Sequence, residues 1–186
     1  MFELLKIEIK VLQTCDNINI VKLLDIKKTK NNYYLMLEYC NQGDLYHYLR
    51  KKGKLSQRES LEIFYQILNG FKSLYKNDII HRDFKLANVL RHNGHVKIAD
   101  FGFSKIMTKS KQYTRSQLGT PYYMAPELWK GEVYDYKIDI WALGICLYEL
   151  LTGSPPFKAE TQYKMLECIQ NTPLYFKKEL KIHPVV

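Results

Sequence analysis

Cysteine is scarce in these 186 residues, which hold only Cys15, Cys40, Cys146 and Cys168. They are widely spaced and form no C-x-x-C pair, so neither a zinc site nor a disulfide framework is expected, and free thiols in a reducing compartment are. Long apolar runs are missing too. The longest, Ile140 to Tyr148, is bounded by Asp139 and Glu149 and is too short to span a bilayer. The opening M-F-E-L-L-K-I-E has no basic n-region, so no signal peptide is expected and a cytoplasmic or nuclear location follows. No G-x-G-x-x-G occurs anywhere. The net charge of +9 comes from scattered clusters such as Lys27-Lys28-Thr29-Lys30, Arg50-Lys51-Lys52 and Lys177-Lys178. No recognised nucleic-acid module accompanies them, so solvated faces account for the charge and no nucleic-acid partner is expected. What remains is an ordinary globular composition, 46% hydrophobic and 25% charged, enough for one domain or most of one.

The densest chemistry lies between His81 and Gly102, H-R-D-F-K-L-A-N-V-L-R-H-N-G-H-V-K-I-A-D-F-G. Asn93-Gly94 sits between Val89-Leu90 and Val96-Lys97-Ile98, the pattern of a type I′ hairpin whose two central residues must tolerate a positive φ. Asn88 lies five residues before Asn93 and Asp100 six after Gly94, so closing the hairpin carries both to its open end. Two hard oxygen ligands facing one space suit Mg²⁺, which takes few protein groups and completes its shell with water and substrate phosphates. Asp83, just upstream, is placed to accept a proton from an attacking hydroxyl, and Lys85 supplies a compact positive charge for a transferred phosphoryl group. Any one of these residues alone would read as a turn or cap residue. Together at this spacing they point to phosphoryl transfer.

H-R-D-F-K-L-A-N followed by D-F-G resembles the catalytic and metal-binding loops of the eukaryotic protein kinases. The resemblance implies Asp83 as catalytic base, Lys85 as the γ-phosphate contact, and Asn88 and Asp100 as metal ligands. Lys85 also speaks for the serine/threonine type. The sequence departs from the family at Phe84, where Leu is usual, and at Leu86, where Pro is common.

Taken in order, residues 2–13 carry Leu4, Leu5, Ile9 and Leu12 near helical spacing. Glu8, in E-I-K-V-L, matches the helix glutamate that pairs with a strand lysine in the family; by itself it would read as a surface residue. Residues 20–26 and 33–38 read as adjacent antiparallel strands. They lead into Glu38-Tyr39-Cys40, similar to the kinase hinge, in which backbone groups of Glu38 and Cys40 would meet the adenine edge and Leu37 would be the gatekeeper. Asp44 resembles the ribose contact, and equally fits a plain helix cap. Ser56-Gln57-Arg58-Glu59 is a capping box before a long helix expected to end near Asn77. Leu90 resembles the floor beneath adenine.

Residues 103–127 end in G-T-P-Y-Y-M-A-P-E, which resembles an activation segment and its anchor. Ser116 is the expected phosphorylation site, with Thr114 and Thr120 as rivals among solvated hydroxyls; Arg82 and Lys105 match the cations that would receive the phosphate. Thr120 matches the residue that helps hold Asp83 and Lys85. Residues 138–152 are apolar on nearly every face, as for a helix buried all round. The resemblance gives its Asp139 a bond to catalytic-loop backbone and stacks Leu12, Leu23, Phe101 and His81 between the lobes. Residues 159–170 read as a further helix.

The implied fold is α+β, a protein-kinase-like two-lobe fold that is mostly the helical C-lobe with a remnant of the N-lobe. Residues 1–37 would be a partial N-lobe, 38–44 the hinge, and 45–186 a C-lobe truncated at its end. The glycine-rich loop and the strand lysine are not found, so Glu8 lacks an evident partner, and the glutamate of A-P-E, Glu127, lacks its usual arginine. By E-I-K-V-L, L-E-Y-C-N-Q-G-D-L and D-F-G-F-S-K the chain most resembles the Unc-51-like autophagy-initiating kinases, with the calcium/calmodulin-dependent-like and NIMA-related groups close behind. The expected activity is ATP- and Mg²⁺-dependent phosphorylation of serine or threonine hydroxyls on a protein substrate, under an upstream activating kinase. The alternative is a catalytically inactive kinase-like scaffold or binding module.

Overall fold

In the computed structural model, which describes residues 2–107, 114 and 119–176, helix α1 (Phe2–Thr14) leads into the antiparallel strands β1 (Leu23–Lys28) and β2 (Tyr33–Leu37). β1 starts later than its apolar pattern implies because residues 19–21 commit their backbone elsewhere. Val21 N donates to Ile98 O at 2.9 Å and Ile98 N to Asn19 O at 2.8 Å, fastening this segment to a strand far along the chain. Helices α2 (Leu45–Lys52) and α3 (Gln57–Lys76) follow, then β3 (Ile79–Ile80), the hairpin β4 (Val89–His92) and β5 (His95–Ile98), and β6 (Lys105–Ile106), which pairs with β3. Helices α4 (Pro126–Trp129), α5 (Lys137–Thr152) and α6 (Gln162–Asn171) complete the described residues. The class is α+β, with three short sheets of two strands each among the described residues.

The hairpin turn is the one its sequence demands: Asn93 and Gly94 take φ of 48° and 78°, and Val89 to His92 pair with Ile98 to His95 in register. Helix α3 starts at Ser56, whose hydroxyl accepts from Glu59 N at 3.2 Å. The reciprocal half of the capping box does not form, because the Glu59 carboxylate instead accepts from the Tyr48 hydroxyl of α2 at 2.5 Å. Ile67, Gly70, Phe71 and Leu74 give α3 its buried face. Gly70 is there for close packing. A Cβ would stand 2.7 Å from Ile98 Cδ1 and 2.9 Å from Asn19 O, so only glycine lets β5 and the α1–β1 connection approach the helix.

One core cluster joins Val11 and Leu12 of α1, Leu45 and Leu49 of α2, the α3 face, Val89, Val96 and Ile98 of the hairpin, and Leu143, Ile145, Cys146 and Leu150 of α5. A smaller one gathers Ile80, Ala125, Leu128, Tyr134 and Ile138. Helix α5 departs from the fully buried helix its composition implies. Ile140 is 58% exposed, and with Trp141, Tyr148, Phe157 and Leu174 it lines an open groove of about 770 Å³. Nothing among the described residues covers that stripe. The two-stranded sheet β1–β2 is likewise open, with Leu24 61% exposed.

Candidate active site

β3 delivers the chain into His81 and Arg82, and the backbone there is bent into a sparsely populated conformation: Arg82 has φ of 69°. A left-handed φ at a long side chain is unfavourable by about 1–3 kcal/mol and persists only where its surroundings over-determine it. Here they do. The Asp139 carboxylate of α5 accepts from His81 N at 2.8 Å and from Arg82 N at 3.0 Å. The Arg82 guanidinium bonds Phe103 O at 2.6 Å through Nε and Ser104 O at 3.4 Å through Nη2. Burial pushes the Asp139 carboxyl up to about 6, opposed by those two amides and the Arg82 charge. His81 is fully buried, and desolvation lowers its pKa. Its ring lies 5.3 Å from that of Phe101 and 5.8 Å from that of Phe84, centroid to centroid. Phe84 in turn meets Phe71 edge to face at 4.7 Å, so the residue larger than leucine at this position is accommodated by an aromatic partner on α3. Phe101 and Leu12 belong to one buried cluster, with Leu23 packed partly buried against it.

The bend brings Asp83, Lys85 and Thr120 together. Lys85 Nζ donates to Asp83 Oδ2 at 2.9 Å and to Thr120 Oγ1 at 2.8 Å, and Thr120 Oγ1 donates to Asp83 Oδ1 at 2.7 Å. Gly119 admits this approach. At its φ of 133° an added Cβ would stand 3.2 Å from Arg82 O and 3.0 Å from Met124 Cγ. Asn88 is buried, and its Nδ2 donates to Asp83 O at 3.0 Å, which orients its Oδ1 as the remaining ligand atom. Ala99 N donates to Asn88 O at 2.8 Å, closing the hairpin end, so Asn88 and Asp100 lie at one end as their spacing demands. Asp100 takes φ of 64° and its Oδ1 accepts from Gly102 N at 3.4 Å. Among the described residues no group of three or more His, Cys, Asp or Glu could hold a metal. A pair of hard oxygen donors is what remains, and it suits a cation that keeps most of its own water.

Glu8 of α1 stands on the other side of Gly102. A Cβ there would lie 3.4 Å from Asp100 Oδ1 and 4.0 Å from Glu8 Oε2. Burial raises the Glu8 pKa, repulsion from Asp100 adds to it, and the Phe101 amide opposes both. No cation pairs with Glu8 among the described residues. Two carboxylates crowded without a counter-charge form a site that a divalent cation would relieve.

The segment 38–44 runs beside β4. Gln42 N donates to Arg91 O at 3.1 Å, Arg91 N to Gly43 O at 2.8 Å, and Asp44 bridges Leu90. Leu90 is partly buried against the core. Glu38 N donates to Lys22 O at 2.9 Å, whereas the Cys40 amide makes no backbone hydrogen bond among the described residues. Leu37 ends β2 and is 39% exposed. Asp44 caps α2: its Oδ1 accepts from His47 N at 2.8 Å and its Oδ2 meets His47 Nδ1 at 2.7 Å. Burial would raise that carboxyl, but the His47 contacts outweigh it and hold it low.

Ser116 lies outside the described residues. Thr114 does not carry a solvated hydroxyl. It is buried, its backbone pairs with Tyr134, and its Oγ1 accepts from Lys105 Nζ at 2.7 Å. Glu127 is half-buried in the wall of the α5 groove and has no side-chain partner among the described residues. Sequence reasoning missed the polar strut formed by Asn19, Gln66 and Asn69: Asn19 Nδ2 donates to Val96 O at 2.8 Å, and Asn69 Nδ2 to Asn19 Oδ1 at 2.8 Å. The signal was Gly70 in the middle of a helical pattern, which marks a close approach.

The family model described as a protein kinase domain matches residues 3–184. Over 164 residues the chain is 37% identical to the SNF1-related protein kinase catalytic subunit alpha KIN12 of Arabidopsis thaliana, covering 88% of this chain and 33% of that protein. Over 179 residues it is 36% identical to the serine/threonine-protein kinase ATG1c of the same organism, covering 94% of this chain and 24% of that protein. The chain thus spans a third or less of the length of these relatives.

Proposed function

The chain belongs to the protein kinase family, and from that premise we propose that the protein transfers the γ-phosphate of ATP to serine and threonine hydroxyls of protein substrates. The observation that carries the reading is the Asp83 centre, whose two carboxylate oxygens are each fixed by a donor, Lys85 Nζ and Thr120 Oγ1. A carboxylate held this way keeps lone pairs for the hydroxyl proton of a substrate as the new oxygen–phosphorus bond forms. Lys85 then lies where negative charge on the transferred group is stabilised. Asn88 and Asp100 would hold Mg²⁺, which when bound neutralises phosphate charge. The Cys40 amide and Glu38 carbonyl would take the adenine edge over Leu90, Leu37 would bound the pocket behind, and Asp44 the ribose.

In this reading residues 1–37 form the smaller lobe's share, 38–44 the hinge and 45–186 the larger lobe. Phosphorylation of Ser116 by an upstream kinase would draw on Arg82 and Lys105, and the protein would act in the cytoplasm. No helix among the described residues is long and apolar enough to cross a membrane. The near-equal identities to an SNF1-related kinase and to ATG1c support the serine/threonine class without separating the subgroups. A non-enzymatic scaffold is the second reading, favoured by Glu8 standing without a cation among the described residues and by the lack of any G-x-G-x-x-G in the sequence.

The deciding experiment is Mg²⁺-dependent transfer of phosphate to a generic serine/threonine protein substrate. Asp83→Asn should lower the rate by about 10²–10⁴-fold with no change in the thermal midpoint. A folded protein that binds Mg·ATP and never transfers phosphate would favour the scaffold.

A further inference from the structure

Lys97 is a cation where a strand facing a core would ordinarily carry an apolar residue. It sits on β5, three residues before Asp100, and only 8% of it is exposed. Its Nζ lies 2.9 Å from Glu38 Oε1, at the start of the 38–44 segment. The same Nζ donates to Ile18 O at 2.9 Å, in the α1–β1 connection. Glu38 Oε1 accepts in addition from Lys22 N at 2.7 Å. One buried ammonium therefore ties three segments distant in sequence: the connection after α1, the entry to the adenine-facing segment, and the strand that ends at Asp100.

We infer that Lys97 is a positioning residue for the nucleotide, setting the distance between the backbone groups of Glu38 and Cys40 and the metal-facing Asp100. The inference rests on the kinase reading of those groups. Three features make the pair a positioning device. A buried ammonium must keep its acceptors or leave charge unpaired, so the geometry is held tightly. Its two protein acceptors belong to separate segments, so each is fixed relative to the other. The strand that carries it is already rigid, since Ile98 bonds Asn19 O and Val21 N on one side and pairs with Val89 on the other.

The test separates positioning from mere structural support. Lys97→Met, Glu38→Gln, the double variant and Lys97→Arg are compared with the parent in equilibrium titration with a fluorescent ADP analogue and Mg²⁺, in thermal unfolding, and in amide hydrogen exchange of residues 38–40. Lys97→Met should weaken nucleotide binding between about ten- and a hundredfold, the range for residues that hold a binding group through its outer contacts. The double variant removes both charges of the pair, so Lys97 no longer leaves an unpaired partner. It should regain most of the thermal stability and none of the affinity, with fast exchange at 38–40. Lys97→Arg, which retains the charge and reaches both acceptors, should restore affinity. Unchanged binding and unchanged exchange in Lys97→Met would overturn the inference, as would affinity recovered together with stability in the double variant. If the parent binds no nucleotide, the kinase reading fails, while the exchange rates still decide whether Lys97 holds the 38–40 segment.

Discussion

Around Asp83 the polar side chains are tied to one another: Asp83, Lys85 and Thr120 share hydrogen bonds, and Asn88 donates to Asp83 O. Along β1 and β2, Leu24 and Tyr34 stand in the open on strands that pair only with each other. In the first region each carboxylate oxygen of Asp83 accepts from a side chain of the described residues. The second is a two-stranded sheet, which is marginal unless a face is covered. The loop around Asp83 is thus anchored by one carboxylate, Asp139 of α5, whereas a sheet needs neighbours on its edges and faces before it becomes rigid. The Lys97–Glu38 pair is the strut between the two regions.

The largest effect that would break this contrast is expected at Thr120. Thr120→Val removes the hydroxyl shared by Asp83 and Lys85, and the turnover of the proposed reaction should fall about a hundredfold, as for a misplaced catalytic group. Nucleotide affinity should stay at the parental value, and an equal loss of affinity would mean that Thr120 supports the whole cleft and not Asp83 alone. Next comes Asp139→Ala, which leaves the buried amides of His81 and Arg82 without acceptors and should lower stability by about 3 kcal/mol in urea titration.

Asp139 also carries a pH signature. Its folded pKa, about 6, lies above the ordinary 3.8, so folding favours the protonated form. The stabilisation from that shift is complete below about pH 3.8 and is lost as pH rises through about 6. Urea midpoints of the parent should therefore fall over this window relative to Asp139→Asn, and parallel curves would refute the assignment. Smaller again is Gly70→Ala, whose Cβ meets the Ile98 side chain and Asn19 carbonyl, with about 2 kcal/mol expected from overpacking. Smallest is Leu24→Thr on the open sheet, expected within about 0.5 kcal/mol of the parent. A larger loss there would show that the sheet face is covered in solution.

Much of this was legible in the sequence where a local rule had a single solution. Asn93-Gly94 fixed the hairpin because both residues must tolerate positive φ, and the Ser56 cap and the periodic face of α3 were equally plain. Contacts decided by residues remote in sequence were not. Glu59 left its capping box for Tyr48 on another helix. Residues 20 and 21 left the expected first strand for β5. Lys97 read only as part of the hairpin run Val96-Lys97-Ile98, and nothing in its spacing placed it against Glu38 and Ile18. The outward stripe of α5 was hidden because composition reports how apolar a helix is and not which side has a neighbour.

The Asp139 bonds to His81 and Arg82 bridge separations of 58 and 57 residues. During synthesis the hairpin between Asn88 and Ala99 can close from local sequence alone, but the loop before it waits for a residue made later. At translation rates of about 5–20 residues per second that delay is on the order of three to twelve seconds. The hairpin can therefore form before the bend that places Asp83, whose Asp139 acceptor is made only with α5.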